Sequence, residues 1–423
     1  MHTTEPRGRS NVSRSLIGTW LLVVLSVVSW RPDALFDGGF DVVVIAKALV
    51  AFTAFLCALL IHSRSRMQAR VGVRSVILLF IVVGLSCVGA LAAESAMPSL
   101  VLAVRIVLLA ATVYVLASSA APREVLTALF VAMGILTLIG AASGLPQFLS
   151  DGRLPSGIPA MKPNELAGLA APPLLAIAVD IAQRGLTPRK SLLLVTFAAI
   201  LLATGSRTTL VVVVIAIALA VVLAWPVPHS TGIALILLAP VSYAIVAFTN
   251  VVSEVAIRGQ DVSELATLSS RTIAWQAVFS IPMDTWHKWI GVGLAAKTIE
   301  VSQRWWDVQV LDSSWISILS QAGILGLIAV GIWVLFTVRD SLRNRELRTL
   351  TLPLLVLLLV RSALENGLIE SSVVFTLFFL TSLILERGHR YPFERDRPVR
   401  FALAVAPLPA PTEKLALSPT RTR

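Results

Sequence analysis

Charge is scarce in this chain. Asp, Glu, Lys and Arg together make up only 14% of its 423 residues, where an ordinary soluble domain carries about 25%. A soluble fold of this size is excluded, because 56% of the residues are hydrophobic and too little polar side chain is left to cover them. Cysteine is nearly absent as well. Cys57 and Cys87 both fall inside apolar runs, which reads as two small buried hydrophobes and removes a disulfide framework or a cysteine-based zinc site. No P-loop, no glycine-rich dinucleotide fingerprint after a strand, no zinc pair and no Ser/His/Asp set occurs. Strict in-out alternation is also missing. "LVVVVIAIALAVVLAW" is apolar on every face, which excludes a transmembrane barrel.

Long hydrophobic runs remain, of about 15 to 22 residues each, against the ~20 helical residues that a bilayer core requires. They predict an all-α, polytopic integral membrane protein of about twelve transmembrane helices. The spans start near Leu16, Val42, Val76, Ser99, Val125, Leu166, Ser191, Thr209, Gly232, Ser314, Leu350 and Val373. The first follows "RGRSNVSRS" but lacks a good small-residue cleavage site, so it reads as an uncleaved helix.

An even number of spans puts both termini on one side. If that side is the cytoplasm, its segments hold 23 of the 35 Lys and Arg, as the positive-inside bias requires. The net charge of +11 then sits where anionic inner-leaflet lipid attracts it, and no nucleic-acid partner is needed. The predicted organisation is a cytoplasmic segment at 1–15, a membrane domain at 16–385 and a basic, Pro-rich, disordered cytoplasmic tail at 386–423. Two outer segments exceed a tight turn, 144–165 and 250–311, the second between spans nine and ten. Loops of that length usually carry function, so chemistry is expected on the extracytoplasmic face.

Arg207 lies in "TGSRT", a short outer link between spans seven and eight. A lone arginine there is by default an interfacial anchor. Arg271, however, opens "SSRTIAWQAVFSI" in the long loop, whose apolar positions 273, 275, 278, 279 and 281 fit a half-buried helix capped by Ser269 or Ser270. Lys162 and Arg153 lie in the other outer loop. Guanidinium forks bind phosphate oxygens bidentately, so two arginines converging on one external site would make a diphosphate clamp.

Four segments, in order, resemble the O-antigen polymerase and O-antigen ligase superfamily of inverting membrane glycosyltransferases. They are "RLPSGIPAMKPNELAG" with Asn164, "TGSRT" with Arg207, "SSRTIAWQAVFSIPMDTWHKWIGVGL" with Arg271, Trp275 and a GVG turn, and "LDSSWISILSQAGILGLI". The resemblance covers roughly residues 16 to 385. It implies a glycan donor on a polyprenyl diphosphate, gripped by Arg207 and Arg271 with help from Lys162 or Arg105, and no cofactor or metal. It further implies a glycan or lipid acceptor, surrounding membrane lipid, and other polysaccharide-export proteins as candidate partners. The location implied is the bacterial cytoplasmic membrane.

Ligases of this family usually present a histidine where this chain has Asp312. Aspartate at that place resembles the polymerase pattern, so Asp312 is the candidate base, with helix capping as its alternative role. Asn164 and His287 are candidates for supporting the acceptor or the loops. His287, in "DTWHKW", is the backup base, or else an interfacial packing residue.

Three other readings stand beside this one. A ligase would pass the glycan to another lipid or envelope acceptor, and a lipid or glycan transporter would bind the same lipid without forming a bond. A metal-dependent class would use Asp33, Asp37 and Asp41 in the first outer loop. Lys47, Arg105 and Arg361 lie within apolar runs, where a charge costs at least ~2.5 kcal/mol and should face a partner or cavity. Arg361 and Glu365 are one helical turn apart and predict an internal ion pair. Arg105 has no local acid and is assigned to the lipid-diphosphate cavity.

Overall fold

The computed structural model describes residues 14–31, 41–65, 67–68, 71–228, 231, 269–300, 308–386 and 393–394. They are mostly helical. The helices are α1 (Arg14–Val27), α2 (Val42–Arg64), α3 (Arg74–Ala92), α4 (Ala96–Ser119), α5 (Pro122–Asp151), α6 (Pro163–Arg184), α7 (Pro188–Thr204) and α8 (Arg207–Leu223). After residues outside the description come α9 (Ser269–Phe279), α10 (Trp286–Ile290), α11 (Ser314–Arg343), α12 (Arg348–Leu364) and α13 (Val373–Glu386). Two small antiparallel pairs complete the set: β1 (Met67–Gln68) with β4 (Phe393–Glu394), and β2 (Thr298–Glu300) with β3 (Val308–Val310).

Every predicted span start that falls on described residues lies in a helix. The start at Gly232 lies outside them. Among the described residues six helices, α2 to α6 and α11, are long and apolar enough to cross a membrane, so the protein is a multi-pass membrane protein. The total of twelve remains an expectation.

Two sequence boundaries move. The outer loop expected at 144–165 begins only at Gly152, because α5 runs through Pro146 and stops at Asp151. A proline inside a helix removes one amide without ending it when packing holds the turn, and Leu136, Ala141 and Gly144 are buried around it. Gly152 terminates α5 in the left-handed region, at φ 67°. At the other side of this loop Pro163 opens α6. Of the tail expected to be disordered from 386 onward, Glu386 closes α13 and Phe393–Glu394 pair with Met67–Gln68. The other tail residues lie outside the description.

Hydrogen bonds between the helix links sort the bundle into two ends. At one end, the Glu386 carboxylate accepts from the Arg74 amide and from the Ser75 amide and hydroxyl at 3.0 and 2.8 Å. It thereby caps α3 from more than 300 residues away. Arg74 itself reaches Asp340 at 2.6 Å. Ser65 and His62 bond the Ser119 region, and Arg123 donates to the Glu346 carbonyl. These are the links the charge bias places in the cytoplasm.

At the other end the long loop folds onto the bundle through a break in α11. Gly323 takes φ 69°, ψ −169° inside that helix, which deprives the Ser320 and Gln321 carbonyls of their helical donors. Val292 and Gly293 of the GVG turn supply amides instead, at 2.9 and 3.1 Å, and Ser86 donates to Gln321 at 2.7 Å. Buried backbone must be satisfied in this way at membrane depth. A Cβ at Gly323 would overlap the Trp289 backbone, and one at Gly291, where φ is 74°, would overlap Gln321. The GVG motif is thus a structural plug in the α11 break.

Candidate functional site

The "TGSRT" link turns at Gly205, φ 61°, and α8 begins at Arg207 itself. A guanidinium at this place adds a cation to the positive end of a helix, an unfavourable position unless an anion compensates both. Arg207 is half-buried and has no hydrogen bond or ion pair among the described residues.

The loop after α5 is stitched to this link. Leu154 donates its amide to the Ala203 carbonyl at 2.9 Å, and Arg153 Nε donates to the Thr204 carbonyl at 3.2 Å. Arg153 Nη2 also reaches Asn164 Oδ1 at 3.1 Å, and Asn164 Nδ2 donates to Glu365 Oε1 at 3.2 Å. The chain of contacts ends at the mouth of α11, where the Ser314 hydroxyl donates to the Glu365 carbonyl at 2.8 Å and accepts from Leu368 at 3.2 Å. Asn366 Nδ2 donates to the Leu311 carbonyl at 2.6 Å. Asn164 therefore joins the Arg207 link to the loop holding Asp312.

The ion pair expected between Arg361 and Glu365 is not formed. α12 ends at Leu364 and Glu365 leaves in extended conformation, so the one-turn spacing no longer puts the two side chains on one helical face. Arg361 Nη2 instead donates to the Asn164 carbonyl at 3.0 Å, with Asn164's amide occupying Glu365. Arg361 is 8% exposed and its Nε has no hydrogen-bond partner. Its guanidinium lies over Gly168, where any Cβ would overlap it.

Asp312 is half-buried and stands one residue before Ser313, the N-cap of α11. Lys162 is exposed at the start of α6, and the Glu165 carboxylate accepts from the Lys162 amide at 3.3 Å. An open cleft of about 590 Å³ lies between the last turns of α5 and this loop, lined by Gln147, Asp151, Arg153 and Lys162 among others.

Other sequence-derived candidates lie elsewhere. Arg271 falls in the first turn of α9, as expected, but its side chain is outside the description. The buried face of α9 is Ala274 and Val278, packed with Leu311, Ile316 and Leu319, whereas Phe279 is 59% exposed. Lys288 is buried and donates to the Val278 and Phe279 carbonyls at 3.2 and 2.9 Å, a cation closing the negative end of α9. His287 packs its ring on Trp286 at 3.8 Å between centroids and makes no described contact with the Asn164 cluster. Of the acidic residues in the first outer loop, Asp41 caps α2 through the Val44 amide and pairs with Arg31. Asp33 and Asp37 lie outside the description.

Arg105 sits within α4, half-buried, in electrostatic reach of Lys47 on α2. Neither has a hydrogen bond or ion pair among the described residues.

A family model for O-antigen ligase matches residues 192–331. The matched segment, about a third of the chain, is similar to that family. No curated protein matches the chain. The matched segment runs from α7 through the break in α11 and contains Arg207, Arg271, His287 and Asp312. Asn164, Arg361 and Glu365 lie outside the matched segment yet hold its two separated parts together. Together with the apolar helices, the match supports a membrane enzyme of the O-antigen polymerase and ligase type.

Glu365 is the residue that sequence reasoning misplaced, because helical spacing assigned it to Arg361. Its signal was that it stands near the outer end of a predicted span, in the same layer as the outer loops.

Proposed function

We propose that the protein is an inverting glycosyltransferase of the bacterial cytoplasmic membrane, joining polyprenyl-diphosphate-linked glycan units at the outer face as a polysaccharide polymerase. One observation supports this above the others. A continuous hydrogen-bonded path from Thr204 through Arg153, Asn164 and Glu365 to Ser314 couples an arginine with no ion pair among the described residues to the loop bearing a carboxylate. An anion-binding group and a base held in one frame suit displacement of a diphosphate from a sugar.

In this reading Arg207 and Arg271 bind the diphosphate, assisted by Lys162 and Arg105. Asp312 accepts the proton of the acceptor hydroxyl, whose oxygen attacks the anomeric carbon from the face opposite the leaving group. The carbon–oxygen bond to the diphosphate breaks, configuration inverts, and polyprenyl diphosphate leaves with its new charge against the arginines. Asn164 fixes the distance between the two halves, and His287 supports the long loop.

A ligase reading rests on the description of the matched family. Proteoliposomes fed a polyprenyl-diphosphate oligosaccharide separate the alternatives. Longer glycan on the lipid carrier, lost in Asp312→Ala and Arg271→Ala while the protein stays folded, supports the polymerase. Transfer to a second lipid with no chain growth supports the ligase. Lipid binding with no new glycosidic bond, given a verified native donor and acceptor, would overturn the enzyme reading.

A further inference from the structure

The long outer loop turns a corner between α9 and α10, and that corner carries apolar side chains that the bundle does not cover. Phe279 is 59% exposed, Met283 60%, Trp286 36% and Trp289 43%. On the opposite side Ala274 and Val278 are packed with Leu311, Ile316 and Leu319. Four large apolar side chains bared on one corner mark an interaction surface rather than scattered exposure.

The depth of the corner follows from two spanning helices. α3 has 19 residues, about 28 Å at 1.5 Å per residue, close to the ~30 Å of a hydrocarbon layer. Glu386 and Asp340 hold its first turn at the end assigned to the cytoplasm, so its last residue, Ala92, marks the outer edge. A Cβ on Gly89, three residues before that end, would overlap the Ile290 and Gly291 carbonyls. The end of α10 therefore lies about 5 Å inside the edge. α11 agrees. Its break at Gly323, which lies against the Trp289 backbone, comes nine residues after Ser314, about 13 Å along a helix that starts on the outer side.

The corner is also continuous with surface that faces lipid. Val88 and Leu91, on either side of Gly89 in α3, are exposed, and Leu325, two residues past Gly323, opens an exposed row with Ile328, Ile332 and Leu335. The polar groups of the corner are satisfied from within. The buried Lys288 ammonium donates to the Val278 and Phe279 carbonyls, Trp289 Nε1 donates to the Met283 carbonyl at 2.9 Å, and the Thr285 hydroxyl to the Pro282 carbonyl at 2.7 Å. Irregular backbone can approach lipid only on that condition. Ser280 and Asp284 stay exposed beside the four apolar residues. That mixture suits the boundary layer, where headgroups take the polar side chains and tryptophan concentrates.

We infer that the α9–α10 corner is an interfacial foot: Phe279, Met283, Trp286 and Trp289 enter the outer leaflet and hold the long loop against it. The partner is bulk bilayer lipid, and the foot holds for any reaction the protein performs. Arg271 lies in the first turn of α9, so the foot also fixes the level of the helix that carries it.

The test uses the full-length protein in lipid nanodiscs, with Cys57→Ala and Cys87→Ala, and a nitroxide attached at Met283→Cys or, in a second protein, at Phe279→Cys. Ile328→Cys is the acyl-facing reference. Oxygen concentrates in acyl chains and a nickel chelate stays in water, so the ratio of their collision rates with the label reads its depth. Labels at 279 and 283 are expected to favour oxygen over nickel, as the reference does. Preference for nickel would place the corner in water and overturn the foot. Poor access to both reagents would mean that protein covers the corner, and would overturn it as well. Because a nitroxide is itself apolar, unlabelled protein supplies a second reading. In lipid brominated along its acyl chains, Trp286→Phe is expected to lose part of the tryptophan emission that bromine quenches in the wild type. The same quenched emission in both proteins would count against the foot.

Discussion

The two ends of the helix bundle treat charge differently. At the end assigned to the cytoplasm, cations meet carboxylates: Arg74 meets the distant Asp340, and Arg184 and Lys190 share the nearby Asp180. Glu386 closes the first turn of α3. At the other end Arg207, Lys47 and Arg105 have no ion pair among the described residues, and Arg361 holds only a carbonyl through Asn164. The first arrangement anchors helices and needs nothing more. The second pairs Arg31 with Asp41 and Lys297 with Glu370, yet leaves Arg207 without a counterion among the described residues, the condition expected of a surface that awaits an anion.

Several substitutions test whether that contrast divides structure from function. The largest expected effect is on chemistry. Asp312→Asn keeps the shape of the mouth of α11 but removes its base, so transfer in proteoliposomes should fall by about 10²- to 10⁴-fold with donor binding retained. Full activity in this variant would remove Asp312 from the reaction.

Arg207→Ala comes next. Losing charge-assisted bonds to phosphate should weaken donor binding by roughly 10- to 100-fold, as charged hydrogen bonds are worth about 1.5–3 kcal/mol. The folded fraction should not change, because the side chain has no described partner to lose. A drop in thermal midpoint would instead mark Arg207 as part of the scaffold.

Gly168→Ala probes the frame between the two functional halves. The new methyl must displace the buried Arg361 guanidinium, and overpacking of this kind costs about 1–3 kcal/mol. Stability and transfer should fall together, with Arg361→Met in the Gly168→Ala background recovering stability but not activity. Recovery of both would show that the Arg361–Asn164 contact is dispensable.

Glu386→Gln belongs to the opposite end. It should cost about 1–2 kcal/mol through the weakened cap on α3, leaving the transfer rate per folded molecule as it was. A change in that rate would mean the two ends are coupled.

The smallest effect concerns Asp41, outside the spans, where the Val44 amide above all holds the carboxyl below its ordinary range and Arg31 adds to this. A lowered folded value means the cap is present above the usual carboxylate range and is lost as pH falls through the folded value. Hydrogen exchange at the Val44 amide should speed up on acidification in the native protein. In Asp41→Ala it should be fast throughout, apart from the intrinsic dependence of exchange on pH.

The helical membrane architecture was legible in the sequence because hydropathy is a local sum. A run such as "VVVIAKALVAFTAFLCALL" can satisfy its backbone in lipid only as a helix, whatever its neighbours do. The distribution of Lys and Arg likewise separated two sets of links, and each interlink hydrogen bond described above joins members of one set. Arg207 stood out because a cation between two apolar runs is costly, and that too is a local fact.

Convergence was not legible. Helical periodicity paired Arg361 with Glu365, and only the end of α12 at Leu364 sent the carboxylate to Asn164. The GVG turn carried the family likeness, but its work of filling the break at Gly323 depends on two segments about 30 residues apart meeting edge to edge. Lys47 looked like an isolated charge until α2 packed on α4, where the charge of Arg105 reaches it. The sequence by itself determined which segments enter the membrane and which charges are too costly to be idle. Tertiary packing decided which of those charges face one another, because energies between residues distant in the chain exist only once the helices have met.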